Sequence, residues 1–331
     1  MFTKTPFDLN IILPVASRGL LNDAIILKQA AQEHDANIHV RIISKEKGYL
    51  GIAIKSLAMS IRYLLRIKQV SFHLEEIQPF YTNFSKHNFF IPNQEWLRGR
   101  TRSQMKNKNI EVLCKTNYAV EKLANISSSI RFLGFTSISR NNSTSPDYNK
   151  FIHIAGKSPQ KGTKPLLDIW SKNPQWPTLT VLTTIDEFIK YNDYRNINII
   201  SEFISDDHLI ELINENGIHL CPSEAEGFGH SIVEALSVGA CVLTTDGAPM
   251  NELVSDSQYL IPWETKSTRY LSDIFFVGEQ HLEMAINKIM NLSLEQRAFS
   301  GELSKQKYQS LTDNFNINIK KLLTQIISNH E

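Results

Sequence analysis

The stretch from Leu220 to Val254, LCPSEAEGFGHSIVEALSVGACVLTTDGAPMNELV, constrains this chain more than any other. Its pattern predicts a strand end, a glycine-bearing loop, a helix starting near His230 or Ser231, a second strand, and a turn into another helix. Gly227 and Gly229 let the backbone turn tightly and approach a ligand closely. The N–H groups and the positive dipole end at the helix start favour a phosphate group.

Two glutamates separated by seven residues accompany this turn. Glu226 lies in the loop just before the first glycine, and Glu234 lies about one turn into the predicted helix. Carboxylates accept hydrogen bonds from hydroxyls, so the hydroxyls of a sugar and of a ribose are natural partners for them. The alternative is a strand–turn–helix unit that carries two solvated acids.

The segment PSEAEGFGHSIVEALSVGACVLTTD resembles the E-x7-E signature of retaining GT-B glycosyltransferases, the large family often called family 4. The resemblance implies an α/β protein with the GT-B fold, in which two Rossmann-like parallel-sheet domains face each other across a cleft. It implies an acceptor-binding domain over residues 1–140 and a nucleotide-sugar-binding domain over residues 150–300. A C-terminal helix within residues 301–331 is then expected to pack back toward the first domain.

The second predicted domain opens after a polar, breaker-rich linker at residues 137–149, with the sequence FIHIAGKSPQKGTKPLLDIW. This segment resembles the family's strand-G-R-x-x-x-x-K-G-x-x-x-L-L opening. Lys157 follows Gly156 where the family prefers arginine, and Lys161-Gly162 matches directly. Two cations on one loop can clamp a diphosphate and neutralise the charge that develops as it leaves, although lysine lacks the bidentate fork of arginine. Two exposed lysines in a turn are the alternative.

The resemblance also implies roles for individual residues. Glu226, Lys161 and Lys157 would be catalytic, with Glu226 on the donor sugar and both lysines on the diphosphate. Glu234 would accept hydrogen bonds from the ribose. The expected donor-binding set is Gly156, Lys157, Lys161, Glu226, Gly227, Phe228, Gly229, His230, Ser231 and Glu234. The implied reaction retains the anomeric configuration, uses a UDP- or GDP-sugar as co-substrate, and needs no cofactor and no metal.

The first half of the chain resembles the family only faintly. Its βαβ opening, with a strand at Leu9–Val15, a turn at 17–19 and a helix at Asp23–Glu33, predicts a parallel sheet. The resemblance implies that Arg18 and Gly19 in that turn face the acceptor, because the family's first loop carries glycines that border it. Asn93, Gln94 and Glu95 follow a predicted strand at residues 88–91, at the edge where such sheets bind ligands. The resemblance implies that these three residues form an acceptor-side wall, where the family usually places a His-Asp-like pair.

Charge is distributed unevenly along the chain. Residues 1–135 contain 19 Lys and Arg against 10 Asp and Glu, a net charge of +9, whereas the remainder carries −8. A basic half attracts anionic partners such as a membrane surface, a phosphorylated acceptor or nucleic acid. Residues 51–68 form a basic amphipathic pattern with Lys55, Arg62, Arg66 and Lys68. That pattern fits either a membrane-surface helix or a sheet-packing helix with snorkelling cations.

Several classes of protein are disfavoured. The spacing of Cys114, Cys221 and Cys241 does not match that of a zinc site. We interpret these cysteines as reduced thiols. No run of apolar residues is long enough for a membrane span. We therefore expect a cytoplasmic protein that can meet the inner face of a membrane only peripherally. The first turn lacks the G-x-G-x-x-G of dinucleotide-dependent oxidoreductases.

The sequence therefore predicts a hexosyltransferase-type enzyme that moves a sugar from a nucleotide diphosphate sugar to a hydroxyl of a glycan, lipid-linked or polysaccharide acceptor. The open alternatives are a GT-B enzyme acting on nucleic acid, an epimerase or phosphorylase on a related scaffold, and a non-catalytic nucleotide-sugar-binding subunit.

Overall fold

The structure is a computed structural model that describes residues 7–15, 17–44, 57–62, 64–65 and 67–328. By its internal contacts the chain forms two compact units. The first contains the residues up to Ser137 together with those from Thr312 onward, and the second contains Ile138–Leu311.

The first unit is built on a parallel sheet with the strand order β2-β1-β3-β4-β5-β6. Its strands are β1 Phe7–Leu13, β2 Ile38–Ser44, β3 Lys68–Leu74, β4 His87–Ile91, β5 Ile110–Cys114 and β6 Ile130–Phe132. Its helices include α1 Arg18–His34, α2 Pro79–Thr82, α3 Gly99–Gln104 and α4 Asn117–Leu123.

The second unit contains a parallel sheet with the order β12-β11-β10-β7-β8-β9 and a separate antiparallel hairpin, β13-β14. Its strands are β7 Asp147–Gly156, β8 Leu179–Thr183, β9 Ile197–Ile200, β10 Asn216–Cys221, β11 Cys241–Thr245, β12 Leu260–Ile261, β13 Thr265–Arg269 and β14 Ser272–Phe276. Its helices are α5 Thr163–Lys172, α6 Asp206–Glu215, α7 His230–Val238, α8 Met250–Leu253 and α9 Glu279–Met290, and the last helix, α10 Leu294–Ser328, begins here.

Helix α10 begins in the second unit and ends in the first. In the first unit its Phe315 ring packs against Phe135 with 5.1 Å between centroids. Asn318 donates to the carbonyl of Leu133 at 3.1 Å. Leu322 and Leu323 are buried as well. Two parallel sheets with flanking helices and a returning C-terminal helix confirm the expected α/β, Rossmann-like fold.

Helix α1 begins earlier than the sequence pattern predicted. Ser17 is its N-cap and accepts a hydrogen bond from the N–H of Leu20 at 3.4 Å. Arg18 and Gly19 therefore form the first helical turn rather than a separate turn, because the Ser17 side chain caps the helix at this earlier position.

The basic segment at residues 51–68 divides into several parts. Lys55 and Arg66 lie outside the described residues, residues 57–62 are helical, and Lys68 belongs to β3. Met59 is buried in a cluster with Ile12, Ile43 and Tyr81. Arg62 pairs with the fully buried carboxylate of Asp8. One face of this helix therefore packs onto the sheet, as the sheet-packing alternative expected.

Candidate functional site

The donor-site residues predicted from sequence lie at one edge of the second sheet, at the end of β7, in the loops that follow β7 and β10, and on α7. Strands β7 and β10 are parallel neighbours, with Phe151 opposite Ile218, so the loops that follow them leave the sheet at the same edge. The N–H of Glu224 donates to the carbonyl of Gln160 at 2.8 Å and joins the two loops.

Gly162 allows these loops to approach each other. It is the N-cap of α5 with φ +66°, and a Cβ at this position would lie 2.1 Å from the carbonyl oxygen of Pro222. No side chain larger than hydrogen fits there without moving the backbone. The Lys161-Gly162 pair that the sequence pattern singled out is therefore pressed against the end of β10.

Lys161 and Glu226 meet at this junction. The Nζ atom of Lys161 lies 2.5 Å from Oε1 of Glu226 and donates to Oγ of Ser231 at 3.1 Å. The two charged side chains are only 17% and 12% exposed. Burial disfavours the charged ammonium, but the neighbouring Glu226 carboxylate outweighs it and raises the pKa of Lys161. Lys161 is thus a fixed cation at the start of α7.

The N-terminus of α7 lies beside this pair. Gly229 is its N-cap with φ +107°, and a Cβ there would come 2.8 Å from Leu253 Cδ1. The helix has no side-chain cap and no acidic residue in its first turn. Its dipole end therefore adds partial positive charge beside the Lys161 ammonium, which suits an anionic ligand. Phe228 is buried and packs edge-on against His230 with 5.3 Å between ring centroids.

Glu234 lies on α7 and is held by a residue that the sequence analysis treated as linker. Nη2 and Nε of Arg140 donate to Oε1 of Glu234 at 3.1 and 3.3 Å. The backbone of Arg140 is anchored as well, because its N–H donates to Ser237 Oγ at 3.0 Å and its carbonyl accepts from Asn214 Nδ2 at 2.6 Å. Oε2 of Glu234 accepts no hydrogen bond from the described residues. The pairing leaves that oxygen for a ligand.

Arg140 was missed because it lies 94 positions from Glu234. The surrounding segment, SISRNNSTSPDYN, has the composition of a loop. The one available signal was a single arginine among neutral polar residues. In the structure its side chain is only 8% exposed, which is unusual for arginine unless it is paired.

Lys157 and Gly156 lie at the end of β7 and are both exposed. Lys157 makes no ion pair with the described residues, in contrast to Lys161. The structure therefore brings together Lys161, Glu226 and Ser231 and leaves Lys157 as an exposed cation on the same loop.

A buried histidine, His153, connects the elements from which the two loops begin. The ring of His153 on β7 lies 2.7 Å from the carbonyl oxygen of Leu220 and 2.8 Å from Oγ1 of Thr163. Since a carbonyl only accepts, Nδ1 carries the proton and Nε2 accepts from the threonine. Burial lowers the pKa of His153 to about 4, so the ring is neutral. It joins β7, β10 and α5 where the two loops begin.

The residues predicted to face the acceptor belong to the first unit. Arg18 and Gly19 are exposed. Gln94 and Glu95 have relative exposures of 0% and 7%, so their side chains do not form an exposed wall. Asn93 is partly exposed and bonds to Glu75 and Lys115.

The described part of the chain contains no group of three or more His, Cys, Asp or Glu side chains that could hold a metal ion. Among the described helices, none combines the length and apolar character that a membrane span requires.

Residues 135–307 match the family model described as glycosyl transferases group 1. None of the curated proteins matches the chain in sequence. Among solved structures, sucrose-phosphate synthase from Thermosynechococcus elongatus superposes with a TM-score of 0.72 at 11% identity, over 97% of this chain and 99% of that one.

Two other solved structures have the same fold. A trehalose-6-phosphate structure from E. coli bound with UDP-2-fluoro glucose has a TM-score of 0.65 at 7% identity, over 97% of this chain and 98% of that one. WaaG, a glycosyltransferase involved in lipopolysaccharide biosynthesis, has a TM-score of 0.62 at 13% identity, over 95% of this chain and 99% of that one. At these identities the likeness shows the GT-B fold.

Proposed function

Because the chain belongs to the group 1 glycosyl transferases, we propose that it transfers a sugar from a UDP- or GDP-sugar to a hydroxyl of a glycan, lipid-linked or polysaccharide acceptor, with retention of configuration. The observation that carries this proposal is the contact of Lys161 with Glu226 and Ser231 at the start of α7. A cation, a carboxylate and a helix dipole at one point suit a diphosphate joined to a polyhydroxylated ring.

In the proposed complex the diphosphate lies at the start of α7. Lys161 and the exposed Lys157 neutralise the charge that grows as the phosphate leaves. Glu226 accepts hydrogen bonds from the donor sugar, and Oε2 of Glu234 accepts them from the ribose. The backbone around Gly227, Phe228, Gly229 and His230 contributes N–H donors.

The proposed step is a substitution on one face of the sugar. The bond between the anomeric carbon and the phosphate oxygen breaks, and a bond to the acceptor oxygen forms on the same face. The acceptor proton passes to the leaving phosphate, so the reaction needs no protein nucleophile. We further propose that charge stabilisation by the lysines makes the step independent of a metal.

We also propose that the first unit meets an anionic membrane surface from the cytoplasmic side. Residues 1–135 carry a net charge of +9, and Leu57, Leu64 and Leu65 are 61%, 77% and 68% exposed. Apolar side chains among cations are the composition of an interfacial surface. The wild type should sediment with phosphatidylglycerol vesicles, whereas the double variant Leu64→Asp/Leu65→Asp should remain in the supernatant. Equal sedimentation of both proteins would refute the proposed contact.

The donor site is tested by thermal unfolding with UDP, GDP, ADP, TDP and CMP, each with and without EDTA. A ligand that binds only the folded state at 100 times its Kd stabilises it by about 2.7 kcal/mol. We expect one diphosphate to raise Tm, by the same amount with EDTA. A response to none of them would overturn the donor site, and a response abolished by EDTA would overturn metal independence.

A further inference from the structure

Three adjacent strands of the first sheet each lead into a polar or charged residue at their carboxyl end. Glu75 follows β3, Asn93 follows β4, and Lys115 follows β5, and these strands are adjacent and parallel. Open parallel sheets bind ligands at the carboxyl ends of their strands. The family-based prediction placed Asn93 at this edge and did not include Glu75 or Lys115.

These side chains are linked by a continuous series of hydrogen bonds. Lys115 pairs with Asp23 of α1 at 2.5 Å, and both side chains are 2% exposed. The same ammonium donates to Oδ1 of Asn93 at 3.1 Å, and Nδ2 of Asn93 donates to Oε2 of Glu75 at 3.3 Å. Because Lys115 can only donate, it sets the orientation of the Asn93 amide. That amide in turn holds one oxygen of Glu75.

The other oxygen of Glu75 is uncommitted. Oε1 accepts no hydrogen bond from the described residues, and the side chain is partly exposed. Burial raises the pKa of the Glu75 carboxyl, while Asn93 and Lys115 act in the opposite direction. A carboxylate with one fixed and one accessible oxygen is suited to accept a hydrogen bond from a ligand hydroxyl.

The backbone of Glu75 is strained. Its φ is +61° although it is not glycine, and its N–H donates to the carbonyl of Ile91 at 2.9 Å. A left-handed conformation costs such a residue free energy and persists where the surroundings enforce it, often at ligand sites. A merely structural turn here would be more stable with glycine or asparagine.

We propose that Glu75 is the acceptor-binding carboxylate of this enzyme, and that Asn93 and Lys115 position it. The inference rests on the proposed function, and it assigns a carbohydrate hydroxyl as the ligand of Oε1. Trp96, which follows β4, is 46% exposed and offers an apolar face for a sugar ring at the same edge.

The test compares Glu75→Gln with Glu76→Gln. Glu76 is the adjacent residue, and its carboxylate lies 3.8 Å from the guanidinium of Arg98 instead. The probes are p-nitrophenyl glycosides of glucose, galactose, mannose and N-acetylglucosamine, and their binding is followed by saturation-transfer NMR. In a separate measurement, the shifts in Tm caused by UDP and by GDP report nucleotide binding at the proposed donor site. Thermal melts without ligand confirm that each variant is folded.

We expect Glu75→Gln to weaken glycoside binding by about 10- to 100-fold, the range for losing a hydrogen bond to a charged group. Glu76→Gln should bind as the wild type does, and both variants should keep the wild-type nucleotide response. Undiminished binding by Glu75→Gln, an equal loss in Glu76→Gln, or no glycoside binding by the wild type would each overturn the acceptor role. Absence of a nucleotide response alone would overturn the proposed donor site, and the glycoside result would still decide the role of Glu75.

Discussion

The ammonium of Lys161 lies 2.5 Å from a carboxylate oxygen of Glu226, although 65 positions separate the two residues in sequence. Both side chains are mostly buried, so neither charge is stable there without the other. The same two residues therefore form a structural ion pair and have proposed catalytic roles. Substitutions must be designed to separate their contribution to stability from their contribution to catalysis.

We predict that Glu226→Gln reduces sugar transfer by at least about 100-fold, equivalent to about 2.7 kcal/mol of transition-state stabilisation. The uncompensated Lys161 should also lower the free energy of unfolding by about 1 to 3 kcal/mol. The double variant Lys161→Met/Glu226→Gln should recover stability but not activity. Urea unfolding and the release of nucleoside diphosphate measure the two effects.

The matched control is Glu224→Gln. This half-buried carboxyl lies two residues earlier and interacts electrostatically with Arg269. It should leave transfer unchanged. Near-normal turnover by Glu226→Gln would remove Glu226 from the catalytic set.

Lys161→Met should weaken binding of a nucleoside diphosphate by about 10-fold or more, because a buried charged hydrogen bond to phosphate is lost. Binding of the corresponding nucleoside should change by less than about 3-fold, or 0.7 kcal/mol. Calorimetric titrations with UDP and uridine, or with GDP and guanosine, measure the difference.

Lys164→Ala provides the comparison, since this exposed lysine on α5 pairs with Asp168. It should bind both ligands as the wild type does. If Lys161→Met weakens nucleoside and diphosphate binding equally, Lys161 does not contact the phosphates.

Arg140→Ala should reduce nucleotide affinity without touching the nucleotide, because Glu234 would lose the partner that orients it. A double-mutant cycle with Glu234→Gln should give a coupling free energy of about 0.5 to 3 kcal/mol in nucleotide binding. Arg195→Ala, which alters an exposed arginine of the same unit that bonds to the Pro174 carbonyl, should have no effect. Additive losses in the cycle would show that Arg140 does not act through Glu234.

Stability should fall between about pH 6.5 and pH 4 because of buried histidines. Burial lowers the pKa of His73, His153 and His219 to about 4. In this window the unfolded chain binds protons that the folded state does not, so lowering the pH favours unfolding. Each histidine contributes roughly 3 kcal/mol across the window, at 1.36 kcal/mol for each pKa unit.

The measurement is urea unfolding at several pH values for the wild type and for His153→Asn. The variant should be less stable at neutral pH but should show a shallower pH dependence. His208→Gln, at an exposed position on α6, should keep the wild-type slope. An unchanged slope in His153→Asn would show that the pKa of this ring does not differ between the folded and unfolded states.

Much of the fold could be predicted from the sequence because its determinants are local. The apolar runs of β7 and β10 and the glycines around Phe228 specify strand–turn–helix units without reference to distant residues. The start of α1 was predicted wrongly for a local reason, since Ser17 was assigned to a turn although it caps the helix. The β13-β14 hairpin was not predicted, because its two short strands lack a long apolar run.

The sequence by itself determined the two-sheet α/β architecture, the returning last helix and the group to which the chain belongs. Only the tertiary structure decided which charges are paired. Arg140 reaches Glu234 across 94 positions, and Lys115 reaches Asp23 across 92. Periodicity and turn chemistry depend on neighbours along the chain, whereas a buried ion pair depends on which strand ends the fold brings together. For that reason Glu75, which no local pattern distinguishes from Glu76, is identified only by its contacts.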